Sequence, residues 1–179
     1  MTELIQETAD DIQYLESISN ALDIALSEAD LAQIKEELMQ SGYIRRKHTK
    51  KKVKLTSKPM HYISSDGYDM YVGKNNLQNE ELTFSFANGN DWWFHAKGIP
   101  GSHVIVKSEG KELPDRTFEE AAGLAAYYSK GRENEKVEID YVQKKQVKKV
   151  AGAAPGFVIY HTNYSMMATP SNQLEELPS

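Results

Sequence analysis

From residue 3 to 26 the apolar positions Ile5, Ile12, Leu15, Ile18, Leu22 and Leu26 recur at spacings of three, four and seven. That stripe predicts an amphipathic helix. Ser27-Glu28-Ala29-Asp30 has the pattern of a capping box and restarts the helix, with Leu31, Ile34 and Leu38 lining the second segment and Gly42 as its stop. Two antiparallel helices with a short link follow. The clean heptad pattern is too brief for an independent coiled coil.

After residue 60 the period changes from helical to alternating. His61-Tyr62-Ile63 and Tyr68 to Gly73, joined by Ser64-Ser65-Asp66-Gly67, predict a hairpin. Asn75 to Phe86 reads as helical, and Ala87-Asn88-Gly89-Asn90 as a turn. Thr117 is positioned to cap a helix running through Lys130, with Gly131 beyond it. Residues 136–142 alternate as a strand. Phe157 to Tyr160 and Tyr164 to Ala168 predict a final hairpin around Thr162-Asn163. The expected class is α+β: a mainly antiparallel sheet with one or two packed helices, preceded by an N-terminal helical hairpin. The expected boundaries are a hairpin over 1–43, a basic linker over 44–58, a main domain over 59–170 and a disordered tail over 171–179.

One stretch alternates unusually. Between Asp91 and Lys107, two short strands meet at a Pro100-Gly101 turn, for which a type II geometry is expected. Trp92, Phe94 and Ala96 fall on one face; Asp91, Trp93, His95 and Lys97 fall on the other. The second strand sets His103, Ile105 and Lys107 opposite Ser102, Val104 and Val106. One face fits a core. The other gathers an indole, imidazoles, ammoniums and a carboxylate.

The net charge of −5 conceals an asymmetry. Residues 1–43 hold ten acids and one base, whereas 44–58 hold eight bases and no acid. A second basic cluster, Lys144, Lys145, Lys148 and Lys149, has no acid between Tyr141 and Val150. The overall charge is therefore no guide to partners. There is no cysteine, which excludes disulfide scaffolds and thiolate chemistry. The acidic N-terminus has no secretory pattern and no apolar run approaches a bilayer span, so the expectation is a cytoplasmic chain.

Asp91, His95, His103 and His161 could supply metal ligands, but their spacing fits no structural zinc site; no cofactor is expected. Ser102 and His103 are adjacent, so a strand points them to opposite faces, and no activated nucleophile is visible. No phosphate-loop fingerprint occurs. Nucleic-acid binding fits better. Aromatic rings interleaved with cations on a sheet face suit irregular or single-stranded RNA. Trp93 is the stacking candidate, with His95, Lys97 and His103 around it, and the lysine cluster would neutralise phosphates. Pattern alone leaves Trp93 equally readable as a core edge.

The order Asp91-x-Trp93-x-His95-x-Lys97-x-x-Pro100-Gly101-Ser102-His103-Val104 resembles the signature of the NFACT-R domain, the C-terminal RNA-binding-type domain of the RqcH/NEMF family. Further segments agree in order: Ser64-Ser65-Asp66-Gly67-Tyr68, Val72-Gly73-Lys74-Asn75-Asn76, Asn79-Glu80-Glu81-Leu82-Thr83, Glu119-Glu120-Ala121-Ala122, Ala125-Ala126-Tyr127-Tyr128-Ser129 and Val147-Lys148-Lys149. The resemblance covers 59–170, and residues 10–43 resemble the end of the family's central coiled-coil region. Gly98 stands where a polar residue is frequent, and Val150-Ala151 replaces a Pro-Lys pair.

The resemblance implies a non-catalytic RNA-binding module from a factor of ribosome-associated quality control. Such factors bind stalled large ribosomal subunits and tRNA, and the full-length bacterial protein directs alanine tailing. It implies Trp93, rather than Trp92, as the outward ring, and an RNA-facing set of Trp93, His95, Lys97, Ser102, His103, Lys107, Lys144, Lys145, Lys148 and Lys149. Asp91, Pro100 and Gly101 would orient the hairpin. The older family names imply a rival: a surface adhesion module for fibronectin or fibrinogen, reaching the cell surface by a signal-less route.

Overall fold

The computed structural model describes residues 2–45 and 56–178. Helices α1 (Thr2–Ile24) and α2 (Glu28–Gln40) are separated at Ser27, whose hydroxyl accepts the Asp30 N–H at 3.1 Å. The Asp30 carboxylate in turn accepts the N–H of Leu26, one residue before the cap, rather than that of Ser27 as a strict capping box would have it. Gly42, at φ +82°, ends α2 in the left-handed region. Most of the basic stretch expected over 44–58 lies outside the described residues.

The main body runs β1 (Met60–Ile63), β2 (Asp69–Val72), α3 (Asn76–Glu81) with a π-turn over Leu82–Phe86, β3 (Trp92–Ala96), β4 (Val104–Val106), α4 (Asp115–Tyr127), β5 (Val137–Gln143), β6 (Lys148–Lys149), β7 (Val158–Ile159), β8 (Tyr164–Ala168) and β9 (Glu175–Leu177). Seven strands form one antiparallel sheet in the order β8-β5-β3-β4-β2-β1-β9, while β6 and β7 make a separate ribbon. The fold is α+β, with the helical hairpin preceding the sheet.

Both faces of the sheet centre are covered. Phe94, Val104, Val106 and Ile139 pack against Ala121, Ala122, Leu124 and Ala125 of α4. On the opposite face Trp93, Ile105 and Val142 lie beneath Leu82, Ala87 and Val147. The strand alternation therefore assigns the faces correctly but not what covers them. A third cluster, Tyr14, Ile18, Ala21 and Ile34, closes the helical hairpin, with Ala154 and Phe157 packed on it.

Four local expectations are corrected. Pro114, not Thr117, is the residue before α4. Thr117 is buried and donates to the Asp66 carboxylate at 2.9 Å, so its hydroxyl is engaged by the β1–β2 turn. The final hairpin does not form: β7 pairs with β6 and β8 with β5, because Phe157 turns toward the helical hairpin. The tail is ordered: β9 adds to β1, pairing Tyr62 with Glu176, and Leu174 packs on the main core. The left-handed residue of the β3–β4 connection is Gly98, at φ +68°, not Gly101. A type II turn at Pro100-Gly101 requires positive φ at Gly101. Gly101 instead bridges Ser129.

Candidate nucleic-acid interface

Trp93, His95, Pro100, Gly101 and His103 converge on a cleft of about 200 Å³, whereas Asp91, Lys97 and Ser102 do not line it. Its floor is Trp93, His95 and His103; its walls come from Asn79 of α3, Ser17 of α1, and Tyr160 beyond β7. Antiparallel register explains the floor. Trp93 pairs with Ile105 and Val142, and His95 sits opposite Asp140. His95, two residues from Trp93 on one strand, therefore shares its face.

Trp93 is fully buried, which corrects the expectation of an outward stacking ring. The Tyr160 ring lies 5.0 Å from it and the His103 ring 5.2 Å. The half-buried His95 imidazole stacks on the indole at 5.7 Å and 15°. Trp93 is thus the underlay, and His95 is the ring it presents. The indole Nε1–H of Trp93 and the hydroxyl of buried Ser102 have no hydrogen-bond partner.

His103 is also buried, against the expectation of an exposed contact. Its Nδ1 lies 2.8 Å from the Thr83 hydroxyl, and its backbone N–H donates to Asn79 Oδ1. Burial pushes both imidazoles down, His95 to about 4 and His103 well below its ordinary value, although Asp140 pulls His95 the other way. Near neutral pH both rings are uncharged. They offer hydrogen bonds, not phosphate neutralisation.

Asp140 is a buried carboxylate beneath His95. It accepts from Tyr160 and from Ser165, each at 2.6 Å, and Lys97 stands 3.6 Å away. The exposed Lys97 also pairs with Glu138 at 3.1 Å. Asp91 does not reach His95. It is buried and accepts from the N–H groups of Asn88 and Ser108 and from Lys107, clamping the far ends of β3 and β4. Lys107 also lies over the Phe86 ring at 4.7 Å, so it is committed to the clamp and is not free for RNA. Of the four candidate metal ligands only His95 and His103 come together, 5.5 Å apart as rings; His161 is exposed.

The lysine cluster lies beside the cleft. Lys145, Lys148 and Lys149 are exposed, with Lys144 half-buried on the turn before them. Lys148 and Lys149 form β6, which pairs with Val158 and Ile159 of β7. Val158 and Tyr160 line the cleft. The ribbon is therefore both wall and basic rim. Lys149 pairs with Glu80 at 3.2 Å. Gly156, at φ +82°, passes so close to Asn76 that a Cβ would meet its carbonyl at 3.2 Å, a tight contact on a left-handed backbone that favours glycine.

Asp140, Tyr160, Asn79 and Thr83 are site residues that the sequence does not reveal. Alternation in β5 places Asp140 on the face of Val142, but its partner His95 is set by strand register.

The family description "NFACT protein RNA binding domain" matches residues 58–162, and "NFACT N-terminal and middle domains" matches residues 1–57. The chain is 43% identical over 172 residues to the protein named Rqc2 homolog RqcH of Streptococcus suis, covering 96% of this chain and 31% of that protein. It is 40% identical over 173 residues to the protein of the same name from Bacillus subtilis, covering 94% and 30%. The chain thus spans about a third of the length of these curated relatives. Among solved structures, the C-terminal of the fibronectin/fibrinogen-binding protein from Streptococcus suis superposes with a TM-score of 0.88 at 42% identity, covering 96% of this chain and 68% of that one.

Proposed function

The chain belongs to the NFACT family, and from that premise we propose that it is a non-catalytic module holding unpaired RNA on stalled large ribosomal subunits, with tRNA as the second ligand. The observation that carries this reading is the lysine-bearing ribbon forming one wall of the signature cleft. Lys145, Lys148 and Lys149 meet phosphates. The neutral His95 ring, backed by Trp93, meets a base face or edge. Lys97 and Lys144 flank the path, and the basic stretch over 44–58 serves as a further phosphate arm. His103 holds the cleft floor, and Ser102 lies buried behind it.

A role within ribosome-associated quality control follows from the relatives named Rqc2 homolog RqcH. Alanine tailing belongs to the whole factor, with this module supplying grip on RNA in the cytoplasm. Among the described residues no helix is long and apolar enough to cross a membrane.

Binding of tRNA at a series of salt concentrations tests the proposal. Lys148→Ala with Lys149→Ala is expected to reduce the slope of log affinity against log salt by about 1.4–1.8, that is, roughly 0.7–0.9 per phosphate contact. An unchanged slope and affinity would sink it. The adhesion reading is favoured by one observation, the name of the solved Streptococcus suis relative. A pull-down comparing fibronectin, tRNA and ribosomal subunits at physiological salt separates the two. Retention of fibronectin alone would reverse their order.

A further inference from the structure

The opposite face of the sheet carries a second, chemically different hollow. Trp92 and Phe118 meet edge to face at 4.8 Å, Tyr141 stacks on Tyr164 at 5.5 Å, and Trp92 lies 6.1 Å from Tyr164. With Met166 these rings enclose about 330 Å³, and the polar residues at its rim are Asp115 and Glu119, both exposed. A hollow of about 440 Å³ adjoins it, sharing Trp92, Asp115 and Phe118 and adding Glu112 and Gln143. The two form one trough.

Of the nearby cations, Arg116 is held by Asp66 at 2.6 Å. Lys111, which lines the second hollow, is exposed and lies 3.9 Å from the exposed Glu109, so the acidic and aromatic end of the trough is the hollow around Tyr141 and Tyr164. The positive end of α4 would disfavour a cation here, and Asp115 and Glu119 in its first turns reverse that sign. Aromatic faces with carboxylates attract a desolvated cation. The same carboxylates repel phosphate, so the trough is unsuited to RNA. It also runs beside β8, whose outer edge pairs with no described strand.

We infer that this trough is a docking site for a basic polypeptide segment, which places an arginine or lysine side chain among Trp92, Tyr141 and Tyr164 against Asp115 and Glu119. The module then grips RNA on one face of its sheet and a basic protein on the other.

The test measures fluorescence anisotropy of a labelled synthetic peptide of alternating arginine and serine, titrated with the whole chain. Tyr164→Ala, and separately Asp115→Asn with Glu119→Gln, are each expected to weaken binding roughly tenfold. All three positions are exposed, and circular dichroism checks the fold. Glu3→Gln with Glu7→Gln on α1, and Lys148→Ala with Lys149→Ala, are expected to leave peptide affinity unchanged. Spermidine is expected to compete far less well than unlabelled peptide, and Tyr164→Ala to keep its RNA affinity. The inference is overturned if the peptide does not bind or binds all variants alike. It is equally overturned if spermidine competes as well as peptide, or if Tyr164→Ala loses RNA affinity in the same measure.

Discussion

At the scale of single residues, His95 separates two roles that the sequence merges. Its position on the face of Trp93 is legible from alternation. That the indole is fully covered and the imidazole only half so depends on Tyr160 and Leu82, which arrive from distant segments. Because His95 is uncharged near neutral pH, His95→Ala is expected to weaken RNA binding about tenfold, as loss of one stacked contact does, with the salt slope unchanged. A lowered slope would mean that the ring acts as a cation. Stability provides a second check. Both histidines have folded values below the ordinary 6.5, so the unfolded chain binds more protons as pH falls from about 6.5 towards 4. Stability is therefore full above that window and is lost on descending through it. Thermal melting of the wild type is expected to fall in this range, and His95→Gln to flatten the fall. A melting temperature rising with acidity would contradict the assignment.

At the scale of elements, the sequence conveys what local chemistry decides. The α1–α2 break at Ser27 and the hairpin of β1 and β2 follow from capping and turn residues. Pairings between distant segments do not. β9 illustrates this: Glu175, Glu176 and Leu177 form a strand only because β1 offers them a free edge, and the two acids give no strand signal. The segment also anchors itself through the Ser171 N–H, which donates to the Gly123 carbonyl at 3.1 Å. Deleting the chain from Ser171 onward is expected to strip the β1 edge and uncover the core beside Leu174. Leu174 is half-buried, so its loss costs less than the roughly 1.5–3 kcal/mol of a fully buried leucine, and the lost strand pairing adds to it. The truncated protein should melt several degrees lower and self-associate through the bared edge. An unchanged melting temperature and a sedimentation profile identical to the wild type would show the strand to be dispensable.

At the scale of the whole molecule, the question is why two helices resembling the end of a coiled coil are ordered beside the sheet. Four buried side chains, Tyr14, Ile18, Ala21 and Ile34, supply roughly 1.5–3 kcal/mol for each large one. Ordering two helices costs about 1–2 kcal/mol per residue, so the hairpin needs the main body. That junction combines apolar contacts, Ile24 in the main core and Phe157 on the hairpin cluster, with polar ones: Asp30 with Lys74 at 3.1 Å, Asp23 with Lys130 at 2.7 Å, and the Asn20 amide donating to the Tyr128 carbonyl. At its centre Glu37 is wholly buried, accepting from Tyr14 at 2.7 Å and from Asn76 at 3.0 Å. Burial pushes its carboxyl up, against the pull of those hydrogen bonds. None of this is legible in an amphipathic stripe, where Glu37 reads as a solvated position. Since Gln13, Glu16 and Ser17 of α1 line the cleft proposed for RNA, hairpin docking and the proposed RNA binding share a wall. Glu37→Ala removes one acceptor from the Tyr14 hydroxyl and one from the Asn76 amide, which keep only Ser41 and Ser17 as partners. The loss is about 1–3 kcal/mol, and the variant is expected to speed amide exchange across α1 and α2 and to weaken RNA binding. Glu37→Gln retains an acceptor and removes the buried acid, so it should leave both nearly as they are. If Glu37→Ala frees the helices while RNA affinity holds, the cleft works without its helical wall and the two parts act independently.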